Sequence, residues 1–208
     1  MLPTIPALIS FGLVLVFYLL YEGNKYSKRF SRPVAVFFKG MATFCACLLA
    51  FYGAARSGRT ADFLLAIGLF VCAVADVVLD IRFVAGMGVF ALGHALFCAA
   101  YIILCPPTTL NFILLAFFAV LITLGALKFK KRLGQRAVSF VLYAYVLFAM
   151  LSLGVTQRPV LAIGAVFFVI SDTTLAKNIL LGASRRQDYF SLGCYYLGQY
   201  LIALSVIL

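Results

Sequence analysis

The chain has 208 residues, of which 65% are hydrophobic and only 11% are charged. Soluble domains contain about 45–50% apolar and about 25% charged residues, so a soluble fold of this length could not bury so much apolar surface. This composition also excludes a disordered chain, and the long apolar runs exclude a β-barrel, whose strands would be short and alternating. The formal net charge of +11 does not indicate a nucleic-acid partner, because the Lys and Arg residues sit between apolar runs.

Eight apolar runs follow one another along the chain, each close to the about 20 residues that a transmembrane helix needs. They cover residues 5–21, 34–52, 61–80, 84–104, 109–127, 137–154, 159–181 and 190–207. The first run lacks the basic start and small-residue cleavage site of a signal peptide, so we interpret it as a retained helix. The sequence therefore predicts an all-α integral membrane protein, a single domain over residues 1–208 that forms a bundle of eight transmembrane helices.

Positive charge is distributed unevenly between the two sets of loops. The loops after odd-numbered helices carry twelve Lys and Arg residues, whereas the opposite side carries three. The twelve are Lys25, Lys28, Arg29, Arg32, Arg82, Lys128, Lys130, Lys131, Arg132, Arg136, Arg185 and Arg186, and the three are Arg56, Arg59 and Arg158. Because basic loops stay in the cytoplasm, we predict that both termini are extracytoplasmic, in a bacterial inner membrane.

A short internal repeat links the two halves of the chain. Residues 68–79 read GLFVCAVADVVL and residues 164–175 read GAVFFVISDTTL, so a Gly, an Asp and a Leu recur at equal spacing. Four helices per half is an even number, so the halves would share one orientation as two parallel four-helix repeats. Such a repeat would place Asp76 and Asp172 opposite each other at one depth.

Asp76, Asp80 and Asp172, three of the six acidic residues, lie within apolar runs and beyond the first turn of the helices that those runs predict. A carboxylate at membrane depth is costly unless it is paired, protonated or in contact with a wet cavity, so each is a candidate functional residue. At 1.5 Å per residue, Asp76 lies about 22 Å along the third helix and Asp172 about 20 Å along the seventh, which runs in the same direction. Both therefore belong to the cytoplasmic half of the bundle.

Further polar side chains lie at related depths. Lys39 and Tyr195 are each about 8 Å from the cytoplasmic face, and His94 and Gln199 are nearer to the middle of the membrane. This agreement in depth predicts one pocket that opens to the cytoplasmic leaflet.

Structural roles compete with the functional ones at each position. Asp76 could form an ion pair with Lys39, and Asp80 could be a solvated carboxylate at the end of its helix. Tyr195 and Gln199, one turn apart, could bond neighbouring helices, and the only histidine, His94, could be a hydrogen-bonded core residue.

Several chemistries lack the residues that they need. One histidine is too few for an ordinary metal site, and the sequence has neither a Gly-x-Ser-x-Gly motif nor a second histidine to support nucleophilic catalysis. The six cysteines lie in or at the ends of the runs and are interpreted as packing residues. We expect no metal and no cofactor. Acid–base catalysis by two carboxylates remains.

Five motifs resemble those of the YhhN-like membrane family, which includes the lysoplasmalogenases. The closest is Ile170-Ser171-Asp172-Thr173-Thr174-Leu175-Ala176-Lys177-Asn178, and the others are Ala75-Asp76-Val77-Val78-Leu79, Gly93-His94-Ala95-Leu96-Phe97, Tyr195-Tyr196-Leu197-Gly198-Gln199 and Lys39. The sequence departs from the family pattern at Ala75, where Gly is expected, at Gly40, where Pro is expected, and at the additional Asp80.

The resemblance implies hydrolysis of the vinyl ether bond of a lysoplasmalogen to a fatty aldehyde and a glycerophospho head group. Asp172 would be the acid that protonates carbon, and Asp76, near Lys39, the base that stabilises the cation and activates water. In the same interpretation Asn178, Tyr195 and Gln199 would orient water or the glycerol hydroxyl. Lys39 or the loop arginines would hold the phosphate, and His94 would also contact the substrate. The expected partners are a lysophospholipid substrate and membrane lipid.

Two other classes of function use intramembrane carboxylates. In a transporter or lipid-binding membrane protein, the same aspartates would form a proton or cation site. An intramembrane aspartyl protease also needs two aspartates on facing helices, but no Gly-x-Gly-Asp motif surrounds Asp172.

Overall fold

A computed structural model describes residues 4–27, 30–182 and 184–208. All regular secondary structure in those residues is helical. Lys28 and Arg29, which contribute to the charge asymmetry above, lie outside the described residues. The helices are α1 (Thr4–Ser27), α2 (Arg32–Ser57), α3 (Thr60–Ile81), α4 (Phe83–Leu104), α5 (Thr109–Leu133), α6 (Ala137–Gly154), α7 (Pro159–Leu181) and α8 (Arg185–Ile207). The predicted all-α class is confirmed.

Most helix ends follow from local chemistry. Pro33 and Pro159 lie in the first turns of α2 and α7, where a missing N–H costs nothing. Gly58 ends α2 at φ +66°, a left-handed conformation that favours glycine. α5 and α8 extend beyond their apolar runs, since α5 carries Lys130, Lys131 and Arg132 in its last turn and Ser184 caps α8.

Seven stretches of the described chain are long and apolar enough to cross a membrane, and one of them is the 46-residue segment Thr109–Gly154. A 3₁₀ turn interrupts this segment, and the chain reverses there. Asn111 Nδ2 donates to the Ser152 carbonyl oxygen at 2.6 Å, and the Thr123 and Tyr145 hydroxyls lie 3.0 Å apart. α5 and α6 are therefore antiparallel neighbours. The eight-span arrangement and the four-helix repeat both stay predictions.

The helices pack closely where small residues meet. Along α2, Ala42, Ala46, Ala50 and Ala54 are fully buried at one-turn spacing. α7 and α8 approach so closely at Gly198 that a Cβ atom there would lie 3.0 Å from the Gly164 carbonyl oxygen. This approach sets the backbone positions of α7 and α8 close to the polar residues of the site. By contrast, α5 buries only Asn111, as expected for a helix that faces lipid.

Candidate active site

A cavity of about 410 Å³ lies at the end of the bundle that carries the α1–α2, α3–α4, α5–α6 and α7–α8 connections. Its volume falls within the usual range for small-molecule sites. Every helix except α5 contributes to its lining, whereas the sequence predicted contributions from the second, third, fourth, seventh and eighth helices only. Both candidate catalytic carboxylates, Asp76 and Asp172, line this cavity.

Asp76 lies one and a half turns before the end of α3 and accepts two hydrogen bonds on one oxygen. The Thr43 hydroxyl donates to Asp76 Oδ2 at 2.6 Å, and the Tyr195 hydroxyl donates to the same atom at 2.8 Å. Two O–H donors on a single oxygen suit an ionised carboxylate, which only accepts hydrogen bonds. Tyr195, predicted as a site residue, thus contacts a candidate catalytic group.

Asp172, on α7, has a different set of neighbours. Its Oδ2 atom accepts a short hydrogen bond from the Tyr143 hydroxyl of α6, and the residue lines the cavity. None of the ion pairs in the described part of the chain involves Asp172. Asp172 therefore has a hydroxyl donor and no ion pair in the described part of the chain. Tyr143 was not among the predicted site residues.

Lys39 lines the cavity and forms its ion pair with Asp80. The Lys39 Nζ atom lies 3.0 Å from Asp80 Oδ2, so the structural alternative of a Lys39–Asp76 ion pair does not occur in this structure. Asp76 and Asp80 lie one turn apart on the same face of α3, and a lysine stem can reach either of them. The Asp76 oxygen nearest to α2 already accepts two hydroxyl donors, which leaves Asp80 to the ammonium group. Asp80 is therefore a cavity-lining residue and not only a solvated helix end.

The sequence interpretation missed an acidic and basic group at the α1–α8 corner. Glu22 and Lys25 of α1 line the cavity, and Lys25 Nζ lies 3.0 Å from Asp188 Oδ2 of α8. Lys25 had been counted as a loop charge, although it belongs to a helix. Five of the six acidic residues of the chain line this one cavity. The small number of acidic side chains in this apolar chain was the signal that could have pointed to Glu22 and Asp188 as site residues.

Apart from the hydroxyl residues Ser171, Thr173 and Ser191, most of the remaining lining is apolar and comes from three helices. α4 contributes Phe83, Met87 and Phe90, α6 contributes Phe140, Ala144, Leu147 and Phe148, and α7 contributes Leu175, Ala176 and Ile179. No charged residue of α4 or α6 lines the cavity in the described part of the chain. The cavity therefore has a charged wall, formed by α1, α2, α3 and α8, and an apolar wall.

Three predicted substrate contacts lie outside the lining. His94 is completely buried among the rings of Phe97, Phe168 and Tyr143, and its Nδ1 atom lies 2.6 Å from the Phe90 carbonyl oxygen. Gln199 is also completely buried, one turn beyond Tyr195. Asn178 donates to Asp188 Oδ1 at 3.1 Å and so contacts a lining residue. His94 and Asn178 thus contact residues of the lining without lining the cavity themselves.

No group of three or more His, Cys, Asp or Glu side chains that could hold a metal ion occurs among residues 4–27, 30–182 and 184–208.

Comparison with known proteins gives one match, to a protein family. A protein-family model described as the YhhN family matches residues 34–206, which confirms the resemblance of the motifs. The match includes Asp76 and Asp172 but not Glu22 or Lys25 of α1. Neither the curated proteins nor the solved structures gave a match.

Proposed function

The chain belongs to the YhhN family, and we propose that it hydrolyses the vinyl ether bond of lysoplasmalogens. The products would be a fatty aldehyde and glycerophosphoethanolamine or glycerophosphocholine. The observation that carries the proposal is the amphipathic cavity, because a charged wall and an apolar wall meet around Asp76 and Asp172.

A lysoplasmalogen has the same division of polarity. Its single alkenyl chain is apolar, its head group is charged, and the vinyl ether bond joins the chain to glycerol between them. With the chain against the helices α4, α6 and α7 and the head group against α1, α2 and α8, that bond lies beside the two aspartates. Lys39 and Lys25 are the cations of the charged wall, and a phosphate bound there would share them with their ion-pair partners Asp80 and Asp188.

Cleavage begins with a proton. In the proposed mechanism Asp172 protonates the chain carbon two atoms from the ether oxygen, and the double bond becomes an oxocarbenium ion. Water adds to the cationic carbon while Asp76 accepts one of the water protons, giving a hemiacetal. The hemiacetal carbon–oxygen bond to glycerol then breaks as Asp76 gives its proton to the glycerol oxygen. The hemiacetal hydroxyl proton passes to Asp172, which restores both carboxyl groups, and the aldehyde is released.

The hydrogen bonds support this division of roles. Asp76 Oδ2 accepts two hydroxyl donors, an arrangement suited to a carboxylate that stabilises a cation and receives a proton. Asp172 accepts one hydroxyl donor and has no ion-pair partner in the described chain, an arrangement compatible with the neutral acid. Two carboxyl groups in different environments can serve as acid and base at one pH.

The direct test is an assay of purified protein in detergent, without any gradient, for aldehyde release from a lysoplasmalogen. The matched 1-alkyl lysolipid has no double bond to protonate and should bind without being cleaved. The 1-acyl lysolipid should be spared, because ester cleavage needs an activated nucleophile. Hydrolysis of the acyl lipid at a comparable rate, or failure to release aldehyde, would contradict the proposal. A proton or cation transporter would release no aldehyde in this assay.

Isotope labelling tests the first step separately. In heavy water, deuterium should appear at the α-carbon of the aldehyde, because that carbon receives the proton, and the rate should fall. The expected labelling must exceed the exchange measured for the free aldehyde under the same conditions. Aldehyde without deuterium at this carbon would show that carbon protonation is not part of the reaction.

A further inference from the structure

A second pocket lies at the opposite end of the bundle and brings together two arginines of the α2–α3 junction and one arginine of the α6–α7 connection. Arg56 is in the last turn of α2, Arg59 lies between α2 and α3, and Arg158 lies before α7. The pocket encloses about 320 Å³, and we call it the arginine pocket. The complete lining is Tyr52, Gly53, Arg56, Ser57, Arg59, Arg158, Val206, Ile207 and Leu208. These arginines are the three basic residues that the sequence places on the sparsely charged side.

Only one of the three has a carboxylate partner in the described part of the chain. Arg59 forms a two-pronged ion pair with the buried Asp62, with distances of 2.7 Å and 3.2 Å. Arg56 donates to the Tyr52 hydroxyl at 2.9 Å and lies over the Tyr52 ring. Arg158 has no ion pair among the described residues, and Leu208, the last residue of the sequence, forms none with an arginine. Two positive charges in the pocket are therefore not neutralised by side-chain carboxylates of the described chain.

The adjoining helices favour the same kind of ligand. α3 and α7 begin at this end, with Arg59 and Arg158 as their N-cap residues, and neither helix has a side-chain cap. The N–H groups of a helix N-terminus and its dipole favour an anion. The Ser57 and Tyr52 hydroxyls also line the pocket, where Ser57 donates to Asp62 and Tyr52 accepts from Arg56.

An apolar surface leads from this pocket along the outside of α2. Leu48, Tyr52 and Arg56 follow one another at one-turn spacing on a single face. Leu48 is 52% exposed and Tyr52 is 39% exposed, so no other helix of the bundle covers this face. A phosphate held by Arg56 would thus have a lipid-exposed apolar path beside it, which a free phosphate ion would not use.

We propose that the arginine pocket binds the phosphate group of an anionic phospholipid, whose chains extend along the exposed face of α2. Guanidinium groups bind phosphate oxygens in pairs, and basic pockets between transmembrane helices are suited to lipid head groups. The site is independent of the proposed hydrolysis, because it lies at the other end of the bundle.

The test measures binding of phosphatidylglycerol to the purified protein in a neutral detergent, by native mass spectrometry and by the rise in Tm. Phosphatidylcholine and inorganic phosphate are the comparison ligands. The Arg56→Gln/Arg158→Gln protein should bind phosphatidylglycerol about 25-fold more weakly, because each arginine near a head group contributes about fivefold. Arg82→Gln/Arg136→Gln, at the other end of the bundle, is the matched control and should bind normally.

Three outcomes would overturn the proposal. The first is unchanged phosphatidylglycerol binding in the Arg56→Gln/Arg158→Gln protein, and the second is an equal loss in the control protein. The third is stabilisation by inorganic phosphate, at equal concentration, as large as that by the lipid. Should the double variant fail to fold, Arg158→Gln alone answers the question, since it breaks no ion pair of the described chain and should weaken binding about fivefold.

Discussion

At the scale of single residues, the site is defined by hydroxyl groups that hold carboxylates. Tyr195 and Thr43 contact Asp76, and Tyr143 contacts Asp172. A tyrosine hydroxyl that donates to one carboxyl oxygen leaves the other oxygen to carry an acidic proton. Tyr143 thereby positions the proposed acid, and Tyr195 positions the proposed base.

Replacing either aspartate should abolish most of the activity. We expect Asp76→Asn and Asp172→Asn to fold and insert normally but to lose at least about 10²-fold in turnover, the lower range for a positioned acid or base. Turnover is measured as aldehyde release, and folding is checked by gel filtration in detergent. Asp80→Asn, one turn from Asp76, should lose far less. Near-normal turnover in either of the first two variants would remove that residue from the mechanism.

Two tyrosines on α6 provide a matched pair for the positioning role. Tyr143→Phe removes the donor to Asp172, and we expect turnover to fall about tenfold or more while binding of the 1-alkyl analogue is retained. Tyr145→Phe removes only a contact with Thr123 of α5 and should be neutral. A role of Tyr143 in stability alone would lower the Tm without changing kcat of the folded protein.

The sequence identifies Asp76 and Asp172 as candidate residues, and both line the cavity, but it does not reveal their hydrogen-bond partners. Intramembrane carboxylates are rare and stand out in an apolar run, whereas Tyr143 is one of 11 tyrosines with nothing local to distinguish it. The choice of Lys39 between Asp76 and Asp80 depends on which oxygen the hydroxyls of α2 and α8 occupy. That information exists only once the helices are packed together.

At the scale of helices, the apolar wall predicts how chain length is recognised. Ala144 of α6 and Ala176 of α7 both line the cavity, and a small side chain there leaves room for a hydrocarbon chain. Ala176→Phe should therefore lower turnover of long-chain lysoplasmalogens about tenfold and spare short-chain ones, because added ring volume occupies the chain path.

The control for that substitution is Ala116→Phe on the exposed face of α5, away from the cavity. It should leave the chain-length profile unchanged. An equal loss for long and short chains in Ala176→Phe would indicate general damage to the fold and would contradict a chain-binding role for the α6–α7 wall.

The helices α1, α5 and α8 extend beyond the apolar runs that predicted them. The apolar run at 109–127 predicted a helix end before Lys128, but α5 continues to Leu133. Its last turn can carry cations because they interact favourably with the negative end of the helix dipole. α8 likewise starts at Arg185 and not at residue 190. For the same reason Glu22 and Lys25 looked like loop residues, and the contribution of α1 to the cavity was missed.

At the scale of the whole molecule, the charge asymmetry predicts an orientation. Reporter fusions should place residues 128–136 in the cytoplasm and residues 155–158 outside, because basic connections are retained on the cytoplasmic side. The active-site cavity would then face the cytoplasmic leaflet and the arginine pocket the outer one. If residues 128–136 were found outside, the cavity would face the outer leaflet and the arginine pocket the cytoplasmic one.

The packing of α2 against α3 has a consequence for how the chain enters the bilayer during synthesis. Each carboxylate of α3 has a partner made earlier by the ribosome: Thr43 for Asp76, Lys39 for Asp80 and Arg59 for Asp62. Asp172 likewise has Tyr143, which emerges 29 residues before it. These carboxylates, which are costly inside a membrane, can thus enter the bilayer with hydrogen-bond or ion-pair partners that were synthesised before them. They do not have to wait for the synthesis of α8.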